Sequence, residues 1–145
     1  MNQIIALMLA ISFIMPQTNA QAAPQPTHDS TQLRVEDMLM LFLTPNNYEV
    51  VGDFYYPNIL KLKPEIEPWH ITVVESNRLN GFRGFIFSIT IEVEPTLGHH
   101  VPVGKDRITY QISVGPTVKL VNYTHLATYE LPSDLHEYVA FEEVY

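Results

Sequence analysis

The residues of this chain best suited to chemistry gather between positions 92 and 107. Glu92 and Glu94 lie two apart in an alternating segment, so they project from one face of a strand. His99-His100 follows within a few residues. Two carboxylates and an imidazole form an oxygen/nitrogen donor set of the kind that holds a divalent ion or moves protons. Adjacent residues of an extended segment point opposite ways, so without a turn only one of the two imidazoles serves such a site. No spacing is that of a zinc motif, and no metal or other cofactor is expected. Lys105-Asp106-Arg107 comes next, after Gly104, and suits either an anion contact or the start of an edge strand whose charges discourage edge pairing. Arg78 and Arg83 flank Asn80-Gly81, where they either grip a carboxylate or are simply solvated.

The binding candidates are therefore His99, His100, Lys105 and Arg107. No catalytic residue is assigned, because no serine sits in a nucleophile-elbow context and no cysteine exists to act as a thiolate. Non-enzymatic binding is the leading functional reading. The alternative is a small enzyme drawing acid/base groups from Glu92, Glu94, His99 and His100.

Two structural regimes must position these groups. Asp29, with Gln32 three residues on, reads as a helix cap and its capping-box partner. Leu33, Met38, Leu39, Phe42 and Leu43 then recur at helical spacing. Thr44-Pro45 interrupts, and a second helical piece carries Val50, Val51, Phe54 and Tyr55 as far as Pro57. After Pro68 the period becomes two. The first strand is expected from Trp69 to Ser76, with Trp69, Ile71 and Val73 on one face. Asn80-Gly81 marks a tight turn. Gly84 to Glu94 follows with Phe85, Phe87, Ile89, Ile91 and Val93 inward.

Thr96 to Gly104 reads as a loop punctuated by glycine and proline. A third strand turns Ile108, Tyr110 and Ile112 inward, and Thr117 to Tyr129 forms a fourth. The inward set of that last strand shifts between Leu120 and Val121, which predicts a bulge there. Leu135 and Val139 stand at helical spacing in a short terminal segment. The aromatics Phe54, Tyr55, Tyr56, Trp69, Phe82, Phe85, Phe87, Tyr110 and Tyr123 are expected between helix and sheet. Helices first and sequential strands afterwards give an α+β fold, a kinked N-terminal helical region packed on a four-stranded antiparallel meander. Its outline is cystatin-like or nuclear-transport-factor-like.

The first residues place these elements in a cell. Ile4 to Met15 is an apolar run broken only by Ser12, and Ala20-Gln21-Ala22 supplies small residues for a signal peptidase. Residues 1–22 thus read as a secretory signal peptide, cleaved after Ala22 or alternatively after Ala20. Residues 23–28 read as a Pro-rich linker and 29–145 as one α+β domain. The twelve residues of this run span about 18 Å as a helix, short of a hydrocarbon core of about 30 Å, so no stable membrane span is expected after cleavage. The expected location is secreted or at the cell envelope, with an unknown envelope or extracellular partner. The net charge is −8, and none of the charged residues falls in the first 22 positions. That balance disfavours nucleic acid as a partner. With no cysteine, the chain must be held by core packing and backbone pairing rather than by disulfides.

Val35 to Leu43 (VEDMLMLFL), Asp53 to Tyr56, Leu79 to Phe87 (LNGFRGFIF), Glu92 to Gly98 (EVEPTLG), Val103 to Thr109 (VGKDRIT) and His125 to Tyr129 occur in a recognisable order. In these segments the chain resembles the domain-of-unknown-function family numbered 3888, small exported proteins of Gram-positive bacilli. The resemblance implies export and carries no established activity.

Overall fold

The computed structural model describes residues 28–115 and 117–140. The signal-peptide reading of residues 1–22 and nearly all of the Pro-rich linker lie outside the described residues. Helix α1 spans Thr31–Tyr55. Its N-cap is Ser30, whose hydroxyl accepts from the Leu33 N–H at 3.0 Å. The capping expectation was therefore off by one residue. Asp29 instead pairs with Arg34 at 2.6 Å, and Gln32 donates forward to Glu36 at 2.8 Å rather than back to the cap.

The two expected helical pieces are one helix, with Pro45 inside it. Proline there removes one backbone hydrogen bond and costs about 3 kcal/mol. Met40, Leu43, Val51 and Tyr55 are all buried, two on each side of the proline. Each apolar side chain so buried returns about 1.5–3 kcal/mol, so the shared core face outweighs the local penalty.

The sheet consists of β1 (Ile71–Arg78), β2 (Ile86–Val93), β5 (Gly104–Ser113) and β6 (Thr117–Thr128), in the order β1-β2-β5-β6 and antiparallel throughout. This is the expected meander. The segment expected to be a loop folds into a small hairpin of β3 (Thr96–Leu97) and β4 (Val101–Pro102). Gly98 and His100 both take positive φ there, which tightens its turn. The alternation of β2 buries Ile89, Ile91 and Val93 as expected, and β5 answers with Ile108 and Tyr110.

Thr109 faces Asn122 while Tyr110 faces Leu120, which leaves Val121 as the extra residue of the expected bulge. A second irregularity in β6 skips Leu126, and another in β1 skips Val74. A turn of 3₁₀ helix, Ser133–Tyr138, returns the C-terminal segment, and Val139 bridges to Leu60.

Two further expectations fail. Trp69 does not begin β1. It sits in a 3₁₀ turn, Pro68–His70, and is 67% exposed. Of the nine aromatics assigned to the core, Tyr55 and Tyr110 are buried and Phe54 and Tyr123 pack against the cluster, whereas Tyr56, Phe82 and Phe85 are exposed. Phe82 and Phe85 lie at the turn end of the β1–β2 hairpin, where burial falls away along β1. A period of two shows which face a side chain takes but not whether anything covers that face.

Candidate functional site

Pairing β5 between β2 and β6 divides the Lys105-Asp106-Arg107 cluster between the two faces of the sheet. Because β5 is an interior strand, the edge-protection reading of these charges is overturned. Lys105 and Arg107 emerge on the face away from α1 and both meet Glu92 of β2. Lys105 Nζ lies 2.9 Å from Glu92 Oε2, and Arg107 contributes Nε at 3.1 Å and Nη2 at 2.5 Å to Glu92 Oε1. Lys105 also lies 3.7 Å from Glu94. Burial raises the pKa of the Glu92 carboxyl, but the hydrogen bonds and charges of Arg107 and Lys105 outweigh it and hold the group below its ordinary range. A carboxyl in that state is a poor proton donor.

Thr90 and Thr109 share a hydrogen bond at 2.9 Å on the same polar face, which no helix covers among the described residues.

His99 and His100 are exposed at the turn of the β3–β4 hairpin. His100 Nδ1 is paired with Glu67, a buried carboxylate that also accepts from the Thr96 hydroxyl at 3.3 Å. The His100 ring stands 6.1 Å from that of Trp69, edge to face, and Trp69 stands 6.5 Å from His70. The structure thus brings Lys105 and Arg107 together, and seats His100 beside Trp69. Glu92 and Glu94 engage Lys105 and Arg107 rather than the histidines. Among the described residues no group of three His, Cys, Asp or Glu is placed to hold a metal ion.

Asp106 points the other way, toward α1, and is completely buried. Its Oδ1 lies 2.7 Å from His125 Nδ1, and His125 Nε2 lies 2.8 Å from the Thr128 hydroxyl. Tyr55 and Tyr123 crowd the same carboxylate. Burial first, and then the Asp106 charge, pushes both phenols far above their ordinary range. An Asp–His–Thr chain has the connectivity of a proton relay. Thr128 stands at the exposed end of an edge strand, however, and the cluster serves to compensate a buried carboxylate. Nothing in the linear sequence signals it, because the register of β5 against β6, including the Leu126 bulge, sets Asp106 opposite His125.

The second feature the sequence did not disclose is a groove of about 510 Å³ between the N-terminal half of α1 and β1. Gln32, Glu36 and Asp37 line its helix side, and Trp69, Thr72 and Glu75 its strand side. β1 is an edge strand of the sheet, so among the described residues one side of its backbone has no strand partner. Helical and alternating periods identify both walls separately, but they carry no information that the walls meet.

A family model described as "Protein of unknown function (DUF3888)" matches residues 35–127, more than half of the chain, and the chain belongs to that family. No curated protein and no solved structure matches the chain.

Proposed function

We propose that this DUF3888 member is an exported interaction protein that takes an extended, positively charged peptide segment into the groove between α1 and β1. The observation that carries the reading is the construction of that groove. One wall is the edge strand β1, whose outer backbone groups have no partner among the described residues, the other is a helix, and Glu36, Asp37 and Glu75 are among its lining residues. Extended peptides bind such places by adding a strand, with main-chain hydrogen bonds giving affinity and alternate side chains giving specificity. The carboxylates select cationic side chains, in keeping with a net charge of −8. The volume suits a few residues of peptide.

Trp69 stands in the groove wall, largely exposed, and tryptophan is the residue that most often anchors a binding surface. His100 braces it, and His99 adds a donor or acceptor at the same turn. In this reading Lys105 and Arg107 act through Glu92 to order the open sheet face rather than touching the peptide. Export rests on the apolar run Ile4–Met15 and the Ala20-Gln21-Ala22 site, and places the partner at or outside the cell envelope. N-terminal sequencing of protein from the medium or envelope should begin at Ala23. An intact Met1 would remove the export claim.

Trp69 is the chain's single tryptophan, so its fluorescence reports directly on the groove. An alternating Lys-Val octapeptide should change that emission saturably, and a Glu-Val octapeptide should not. Glu36→Lys with Glu75→Lys should weaken the Lys-Val peptide at least about 10-fold. The pair His99→Ala and His100→Ala should weaken it less, with the melting temperature nearly unchanged. Equal response to both peptides, or indifference to the charge reversals, would sink the proposal.

A further inference from the structure

The outer face of α1, opposite its core side, carries a continuous apolar stripe. Val35, Met38, Leu41, Phe42 and Tyr48 are 47–60% exposed, and Pro45 is exposed among them. Neighbours on the stripe stand three or four residues apart, with Leu41 and Phe42 side by side at its middle, so they share one side of the helix. The core side of the same helix is fully used by Met40, Leu43, Asn47 and Val51. A helix apolar on two opposite faces has one face more than this sheet can cover.

We infer that the occupant of the stripe is a second copy of this chain, packed antiparallel with the two-fold axis at the Leu41–Phe42 step. The argument is self-complementarity. Turned end over end about that step, Leu41 falls on Phe42, Met38 on Pro45, and Val35 on Tyr48. The same operation sets Arg34, which also pairs with Asp29 of its own chain, against Glu49, both exposed and of opposite sign, so the contact repeats at each end of the interface. An isologous interface has this character, each residue meeting its complement twice. A parallel arrangement sets Arg34 against Arg34 and Glu49 against Glu49, which charge repulsion disfavours.

The apolar stretch from Val35 to Tyr48 is about 20 Å long, a small face by the standards of permanent dimers, so association is reversible and concentration-dependent. The stripe and the peptide groove occupy different sides of α1, sharing only Asp37 at their margins. Dimerisation therefore leaves a groove open on each copy. Two tethered grooves raise avidity for a repetitive or surface-bound partner without any new contact.

The chain has no cysteine, so a single introduced thiol reports its own neighbour. In the intact purified chain, sedimentation equilibrium should show a monomer–dimer equilibrium in roughly the micromolar range. Leu41→Cys should form a disulfide dimer rapidly under mild oxidation. Val35→Cys alone should not, whereas a mixture of Val35→Cys and Tyr48→Cys should give the mixed dimer. Arg34→Glu should weaken association about 10-fold, and adding Glu49→Arg should restore it. Circular dichroism verifies that each variant is folded. A monomer at all concentrations overturns the inference, whether the stripe is then covered by the apolar segment Ile4–Met15 of the same chain or by another protein. Self-crosslinking of Val35→Cys as fast as Leu41→Cys, or failure of the charge swap to rescue, overturns the antiparallel geometry.

Discussion

The Tyr110 hydroxyl donates a 2.9 Å hydrogen bond to Asn47 Oδ1, joining the interior strand β5 to the middle of α1 with both residues cut off from water. The surroundings are apolar, including Leu43, Val51 and Ile108 in the same core cluster. A polar link in such a place specifies how helix and sheet meet, because any slip leaves a buried acceptor unsatisfied.

Tyr110→Phe should accordingly lower stability by about 1–2 kcal/mol, although it removes one atom and opens no cavity. Asn47→Leu in the Tyr110→Phe background should recover part of that loss, because Asn47 Nδ2 has no hydrogen-bond partner among the described residues. Urea denaturation of the two single variants and the double variant measures the coupling. Additive effects would show that the hydrogen bond carries no specific energy.

His125→Ala should be among the most damaging single changes on β6. It takes from the fully buried Asp106 its nearest compensating group, and breaking a buried pair from one side costs about 3–5 kcal/mol. Asp106→Asn, which removes the charge and keeps the shape, should cost less, and His125→Ala added to it should cost little more. If His125→Ala alone is tolerated within about 1 kcal/mol, Asp106 does not bury a charge.

Glu92 makes stability depend on pH in a defined direction. Its pKa in the folded protein is depressed below the ordinary value of 4.5 by Arg107 and Lys105. The stabilisation is therefore complete above that ordinary value and is lost as pH falls through the depressed one. Glu92→Gln should cost about 1 kcal/mol at pH 7, with Lys105 and Arg107 part-exposed enough that salt screens some of it. The difference between Glu92→Gln and the parent chain should shrink below about pH 4 and vanish in stronger acid. Thermal melts from pH 7 to pH 3 give the comparison, and a difference that stays constant with pH would assign the cost to packing.

Much of the fold was legible in the residues. Alternation along Phe87, Ile89, Ile91 and Val93 marks both the strand and its inward face, and the phase change near Leu120 marks a bulge without reference to a partner strand. These are local signals, fixed by a backbone that presents side chains every second residue in a strand and roughly every third or fourth in a helix. Pro45 shows the limit of local signals. By propensity it ends a helix, yet burial on both sides of it carries α1 through, an energy that belongs to the sheet beneath and not to the helical sequence.

The candidate sites were beyond such reading for the same reason. His99, His100, Lys105 and Arg107 stand close together in the sequence, but the hairpin and the strand send them to different neighbours: Glu92 for both cations, Glu67 and Trp69 for His100. Asp106 finds His125, and α1 finds the free edge of β1, only through pairings between segments far apart in the chain. Composition and periodicity determined a cysteine-free, acidic α+β chain, because those properties add up residue by residue. Which charges are neutralised, and which edge and which helix face have no partner among the described residues, were decided by tertiary contact, because each depends on what lies across a gap that no local period encodes.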